Sequence, residues 1–138
     1  MQVRRARLAD SEPVWQLLTQ LAVTFPAVRS EFDALYPALV DDERMLLLVS
    51  EVEGRVRGYA LTALSPLLHV GGESAQLQEL VVDSEHRGAG LGTQLLGAVE
   101  AECRARGVRQ LVVASRRAAD FYASRGYTAT ADYLKRVL

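Results

Sequence analysis

The 138-residue sequence holds one cysteine, two histidines and one tryptophan, and each scarcity removes a class of answer. A lone Cys103 cannot build an internal disulfide framework, which favours a reducing, cytoplasmic setting. His69 and His86 have no partner at metal-ligand spacing, so no metal site is expected. Charge of one sign is also missing. The 16 Lys and Arg against 17 Asp and Glu leave a net charge of −1, with no bulk attraction to nucleic acid or to an anionic membrane surface. No uninterrupted apolar stretch approaches spanning length, and the basic start Met1-Gln-Val-Arg-Arg-Ala-Arg is followed by no apolar segment, so neither a membrane span nor a secretory signal is expected. Repeats, low-complexity tracts and linkers are absent as well. What remains is 49% hydrophobic and 24% charged, the balance of a folded domain, and residues 1–138 are expected to form one domain around one core.

The order of elements follows from periodicity and punctuation. Val3 to Arg7 reads as a short strand. Asp10 and Ser11 offer N-cap oxygens, Pro13 suits a first turn, and Val14, Leu17, Leu18, Leu21 and Ala22 recur at helical spacing until Phe25-Pro26 breaks the pattern. A second helix is expected from Ser30, with Phe32, Leu35, Tyr36 and Leu39 on one side. Met45 to Val52 and Val56 to Leu64 read as strands joined by a Glu53-Gly54 turn. Ser65 to Ser74, with Pro66 and Gly71-Gly72, reads as a loop, and Gln76 to Val82 as the next strand. After Gly90 a helix places Leu91, Leu95, Leu96, Val99 and Cys103 on one stripe and ends at Gly107. Leu111 to Ala114 is a buried-type strand, Arg117 to Arg125 a last helix closed by Gly126, and Tyr127 to Ala131 a final strand. The order β-α-α-β-β-β-α-β-α-β argues for the α/β class, a mixed sheet with helices on both faces.

The most informative stretch runs from Leu77 to Thr93. An apolar strand leads through a polar turn into Arg87-Gly88-Ala89-Gly90-Leu91-Gly92, and an amphipathic helix follows at once. Glycines let successive N–H groups point into one concavity, and a helix N-terminus adds partial positive charge behind them. A dianion seated there gains on the order of 1–2 kcal/mol from the dipole when partly buried. The turn is therefore read as a phosphate or pyrophosphate seat. A dinucleotide fingerprint starting at Gly88 needs glycine where Thr93 stands, and a P-loop needs a Gly-Lys pair that Gly92 does not supply. Arg87, Gly90 and Gly92 do match Arg-x-x-Gly-x-Gly, and Ala118-x-x-Phe121-Tyr122-x-x-x-Gly126-Tyr127 follows after a helix and a strand. On these two motifs the chain resembles the GNAT superfamily of acetyl-CoA-dependent N-acyltransferases.

The resemblance implies a GNAT-like fold: a central mixed β-sheet with helices on both faces, in which the strand before the glycine turn and the strand after its helix splay apart. It implies acetyl-CoA as acyl donor, with its pantetheine arm in the gap, an amine of a small molecule or peptide as acceptor, and direct attack without a covalent enzyme intermediate. A dimer is common among such relatives, and nothing in the sequence demonstrates one. An extended pantetheine chain carries amides and can pair with a strand edge as a peptide does, so the backbones of Leu80, Val81 and Val82 are assigned to it, with an N–H near Val81 as oxyanion donor. Arg87, Gly88, Ala89, Gly90, Leu91, Gly92 and Thr93 are assigned to the pyrophosphate. The resemblance also gives Tyr122 the role of general acid toward the CoA thiolate. A phenol of pKa about 10 suits protonation of a thiolate whose acid has a pKa of about 8.5. Read from pattern alone, Phe121 and Tyr122 are core aromatics.

An alkylammonium of pKa about 10.4 must lose a proton before it attacks. The positions matching the family's commonest bases, Gln76 and Gln78, are amides and cannot accept one. Strict alternation sets Gln76 and Gln78 on one face and Leu77, Glu79 and Val81 on the other, but a β-bulge would turn Glu79 inward. Glu79 is thus either the base or a structural carboxylate paired with an arginine, and deprotonation through water stays open. Ser115 stands where the family usually has an asparagine contacting the pantetheine arm, and a hydroxyl makes only part of those contacts. Arg116 and Arg117 could meet the ribose phosphate or simply lie at a helix start. Trp15, Phe25, Tyr36 and Tyr133 are candidates to line the acceptor pocket, to be built by the two early helices and the loop after Leu64. Cys103 reads as packing and His86 as solvated. The glutamines and Ser115 keep a second reading open, a catalytically weak acyl-CoA-binding or sensor domain.

Overall fold

The computed structural model describes residues 1–21, 25–115 and 118–138. Five strands form one sheet in the spatial order β1 (Gln2–Arg5), β2 (Met45–Val52), β3 (Arg55–Leu67), β4 (Gly72–Val82), β5 (Gln110–Val113). The first four run antiparallel to their neighbours, while β5 returns parallel to β4. A parallel return needs a crossover, and α3 (Leu91–Ala105) supplies it. Helices α1 (Ser11–Leu18) and α2 (Arg29–Asp41) pack on one face of the sheet, α3 and the short α4 (Ala119–Ala123) on the other. This is the mixed α/β sheet expected from the order of elements.

Side-chain periodicity explains both cores. Along α3, Leu91, Leu95, Leu96, Val99 and Cys103 are all buried, and the last four meet Leu46, Leu48, Ala60 and Leu77 of the sheet. Burial of each leucine-sized side chain contributes about 2 kcal/mol. On the opposite face Val14 and Leu17 of α1 and Tyr36 of α2 cover Leu47, Val49, Tyr59, Leu61 and Val81. Asp10 does not cap α1. Its carboxylate accepts from the Arg7 N–H at 2.7 Å and from both terminal nitrogens of Arg4 at 2.8 and 2.9 Å, tying β1 to the turn before α1. Among the described residues no helix is long and apolar enough to cross a membrane.

Several boundaries differ from the sequence expectation. Ser65 to Ser74 is mostly hairpin rather than loop, with Ser65 opposite Ser74 and Leu67 opposite Gly72, so only residues 68–71 connect the strands. Pro66 is tolerated there because β2 pairs with β3 only as far as Ala63, leaving the end of β3 an edge on that side. β1 stops at Arg5 and α1 at Leu18; Leu21 lies beyond that helix, and Ala22 falls outside the described residues. Leu35 is 61% exposed and leaves the core side of α2. The last helix is shorter than Arg117 to Arg125, and Arg117 itself lies outside the described residues. Tyr127 to Ala131 forms no strand. Thr128, Ala129, Thr130 and Ala131 are exposed and carry small side chains, so little apolar burial offsets the entropy of ordering them. A groove of about 940 Å³ runs there, lined by β5, the C-terminal half of α3, α4 and residues 126–133.

Candidate active site

The two halves of β4 differ in register. Leu61 of β3 faces Glu79, but Thr62 faces Leu77, so Gln78 is an extra residue with no partner opposite it. Such a bulge reverses the strand's in-out phase. Before it, Ala75 and Leu77 belong to the core under α3; after it, Leu80 and Val82 take that face, while Val81 joins the core under α1 and α2. Glu79 therefore turns toward α1 and α2 and away from the face that Leu77 occupies. Its Oε1 accepts a hydrogen bond from the Tyr59 hydroxyl at 2.6 Å. Tyr59 is 2% exposed, and burial first, then the neighbouring carboxylate, pushes its phenol far above the ordinary tyrosine range. The phenol thus stays a donor, and Glu79 has a tyrosine partner rather than an arginine. Strand alternation alone could not reveal Tyr59, which lies 20 residues away and meets Glu79 only through the β3–β4 register.

β5 pairs with β4 from Ser74 to Leu77 and no further. From Gln78 onward β4 keeps β3 on one side and has no strand partner on the other among the described residues. The direction of its amides follows from two contacts. Asp83 N–H donates to Arg57 O at 2.8 Å, and Val81 O lies 3.1 Å from where a Cβ on Gly58 would sit, so both point toward β3. With a two-residue period, the groups of Leu80 and Val82 point the other way, into the gap. This corrects the expectation for Val81: its N–H faces β3, and the amides open to the gap are those of Leu80 and Val82. Arg87 Nε already uses the free Val82 carbonyl, at 3.3 Å.

Beyond β4 a single 3-10 turn, Ser84–His86, delivers the chain to Arg87. Gly88 and Gly90 have φ of +84° and +83°, the left-handed region where a Cβ is strained, and nothing lies within 4 Å of a Cβ built on either. The glycines are required by conformation, not by space. Gly90 is the N-cap of α3 and brings no side-chain oxygen. The first helical bond runs from Gln94 N–H to Gly90 O at 3.1 Å, which leaves the amides of Leu91, Gly92 and Thr93 without helical acceptors. Residues 87–90 are exposed, so the concavity is open. One cation there was not foreseen from spacing. Arg125, after α4, donates to Thr93 Oγ1 at 2.5 Å while its guanidinium lies 3.8 Å from the Phe121 ring centroid. Only the packing of α4 against the start of α3 brings it near.

Tyr122 is 8% exposed and sits in the core under α3, edge-on to Phe121 and Tyr127. Burial raises its phenol, which favours the protonated form, and its hydroxyl has no hydrogen-bond partner among the described residues. Tyr122 and Ser115 both border the groove beside β5, whereas Glu79 opens to the other face of the sheet. The structure brings Tyr122 and Glu79 to opposite sides of the sheet, not into contact. Ser115 Oγ accepts from the Ala118 N–H at 3.0 Å, so its hydroxyl hydrogen is what remains to offer. Arg116, like Arg117, lies outside the described residues. Cys103 is buried, with its thiol raised by burial, as expected of a packing residue. His86 Nδ1 lies 3.3 Å from Asp83 Oδ2, so it is partnered rather than merely solvated. Of the acceptor-pocket candidates, Tyr36 lines a cavity beside Glu79; Trp15 lies tilted against Phe32, with ring centroids 5.3 Å apart, Phe25 is exposed, and the Tyr133 hydroxyl accepts from Gln76 Nε2 at 3.3 Å.

Comparison with known proteins agrees with this geometry. Residues 16–136 match the family model described as an acetyltransferase (GNAT) domain. The chain is 32% identical over 125 residues to an amino-acid acetyltransferase of Pseudomonas syringae pv. syringae, an alignment that takes in 91% of the chain but 27% of that protein. The chain thus spans about a quarter of the length of the curated relatives it matches. Among solved structures, a transcriptional regulator from Bacillus halodurans C-125 superposes with a TM-score of 0.90 at 20% identity, covering 99% of both chains. The glucosamine-6-phosphate N-acetyltransferase of Arabidopsis thaliana superposes with a TM-score of 0.85 at 21% identity, over 99% of this chain and 97% of that one. Identities this low speak for the fold alone.

Proposed function

The chain belongs to the GNAT acetyltransferase family, and from that premise we propose that it moves the acetyl group of acetyl-CoA onto the amine of a small molecule or peptide by direct attack. The observation that carries this reading is the gap itself. β4 loses its β5 partner after Leu77, one residue before the bulge that turns Glu79 toward α1 and α2, and the Gly88–Gly90 turn lies at the end of the same strand. A pantetheine arm lying along the free amides of Leu80 and Val82 runs toward the open donors of Leu91, Gly92 and Thr93, which take the pyrophosphate, with Arg125 beside them. The thioester then lies at the bulge, between the two faces of the sheet.

The residues divide the proton traffic by face. Glu79, held by the Tyr59 hydroxyl through one oxygen, receives a proton from the incoming ammonium directly or through one water. The amine nitrogen forms a bond to the acetyl carbon, and a backbone N–H facing the gap stabilises the carbonyl oxygen as it gains charge. The C–S bond breaks, Tyr122 gives its phenolic proton to the departing thiolate, and the nitrogen loses its second proton to solvent. Solvent reprotonates Tyr122 and takes the proton back from Glu79, so that both residues are restored for the next turnover. The acyl-CoA sensor reading rests on Gln76 and Gln78 at the usual base positions and on Ser115; a carboxylate one residue beyond Gln78, turned by the bulge, supports turnover over the first of these grounds.

The test combines calorimetric titration of CoA with a free-thiol assay over a panel of amines, for the native protein and for Glu79→Gln and Tyr122→Phe. Both variants are expected to keep the CoA Kd within about twofold while kcat falls 10²- to 10⁴-fold, the usual range for removing a general acid or base. No CoA uptake at millimolar concentration overturns the cofactor assignment. Unchanged turnover in either variant overturns the role given to that residue.

A further inference from the structure

The pocket that Glu79 opens into says what kind of amine it takes. It measures about 110 Å³ and lies between α1, α2 and the sheet, with Leu18, Phe32, Leu39, Leu47 and Leu61 among its walls. Three polar side chains border it. The Tyr36 hydroxyl donates to Arg7 O at 2.7 Å, and the Tyr59 hydroxyl donates to Glu79. Among the described residues, that leaves the second oxygen of Glu79 as the one side-chain group in the lining with no hydrogen-bond partner, and no lysine, arginine or histidine lines the space. Leu35, 61% exposed, stands at the rim, so the pocket is open to solvent along α2.

Resting on the acetyl-transfer reading above, we infer that the acceptor is a primary amine carrying an apolar group of about four carbons, its ammonium at Glu79 and its hydrocarbon body between α1 and α2. The size follows from the volume: a water-sized group occupies about 30 Å³, so 110 Å³ holds between three and four such groups. The sign follows from the charge. An ammonium beside Glu79 is complemented, whereas a carboxylate drawn into the same space meets Glu79 with no cation to offset it. A polyamine fares no better, because a second ammonium lands among leucines without a partner.

Initial rates with acetyl-CoA are measured for the n-alkylamines from methylamine to octylamine, with L-glutamate and spermidine for comparison. Each methylene buried is worth about 0.8 kcal/mol, so kcat/KM is expected to rise about fourfold per carbon up to a butyl or pentyl chain and then level off. Leu39→Phe, which fills the pocket, moves the plateau to a shorter chain; Leu35→Trp at the exposed rim does so without touching the core and serves if the first variant does not fold. CoA titration runs in parallel. A flat chain-length profile, a preference for glutamate or spermidine, or CoA uptake with no alkylamine acetylated overturns this inference and leaves the cofactor reading intact. Absence of CoA uptake overturns both.

Discussion

Replacing Gly90 by alanine isolates the backbone's part in the proposed binding of CoA. Gly90 has φ +83° and ψ 9° at the N-cap of α3, and an added Cβ finds no atom within 4 Å. The substitution therefore adds no clash, and its penalty is the left-handed conformation alone, roughly 1–2 kcal/mol for an alanine. That energy appears in one of two places. If the turn is held, global stability falls by the whole amount, read as a lower midpoint in urea at unchanged slope. If the turn relaxes instead, stability is kept and the donor array is populated five- to thirty-fold less, so the CoA Kd rises by up to that factor. The sum of the two losses should stay near 1–2 kcal/mol. Gly90→Asn should recover about half, because asparagine enters this region more readily. Gly92→Ala is the control: it lies in the first turn of α3, where a Cβ would make ordinary contact at 3.8 Å with Phe121 and Val82, and alanine favours the helix by up to about 1 kcal/mol. Unfolding and CoA calorimetry on the three variants decide the matter. A Gly90→Ala protein with native stability and native CoA affinity refutes the conformational requirement. A loss of CoA affinity in the alanine variant that asparagine does not reduce shows that space for the ligand, not backbone geometry, selects glycine.

Three further outcomes follow from particular contacts. Tyr59→Phe removes the hydroxyl that holds Glu79 and should lower kcat/KM for the amine about tenfold or more, the worth of a hydrogen bond to a charged group, while CoA titrates as before; equal kcat/KM in the two proteins removes Tyr59 from the site. Thr62 is fully buried, and its Oγ1 has no partner among the described residues, so Thr62→Val, which keeps the shape, should stabilise the protein by about 1 kcal/mol in urea unfolding. Asp10 is held below its usual carboxylate value, chiefly by the Arg4 hydrogen bonds. A depressed folded value means that its contribution is complete above the unfolded value of about 3.9 and is lost as pH falls through the folded one. Asp10→Asn should therefore destabilise the protein at pH 7 by about 2 kcal/mol and by progressively less in acid, as read by thermal unfolding across pH 2–7.

Much of this protein is readable one segment at a time. The α3 stripe, the two-residue turn between β2 and β3, and the glycine turn depend on neighbours in the chain, and each lies where periodicity and φ preference put it. The segment from Tyr127 to Ala131 misled because β-prone residues form a strand only when there is apolar area to bury, and four small exposed side chains bring almost none. Pro66 and Gly71-Gly72 misled in the opposite sense. They looked like a loop, yet β3 and β4 pair nearly to the connection, since the outer end of β3 is an edge that accepts proline.

Local order therefore determined the glycine turn at Gly88–Gly90 and the helix behind it, because a positive φ and a 3.6-residue repeat are properties of consecutive residues. The facing of Glu79 was decided elsewhere. It depends on one unpaired residue, Gln78, in the register between β3 and β4, and a one-residue slip moves every later side chain to the other face. The same long-range packing chose Tyr59 as the partner of that carboxylate and set Arg125 beside Thr93, contacts between residues 20 and 32 positions apart that no local pattern encodes.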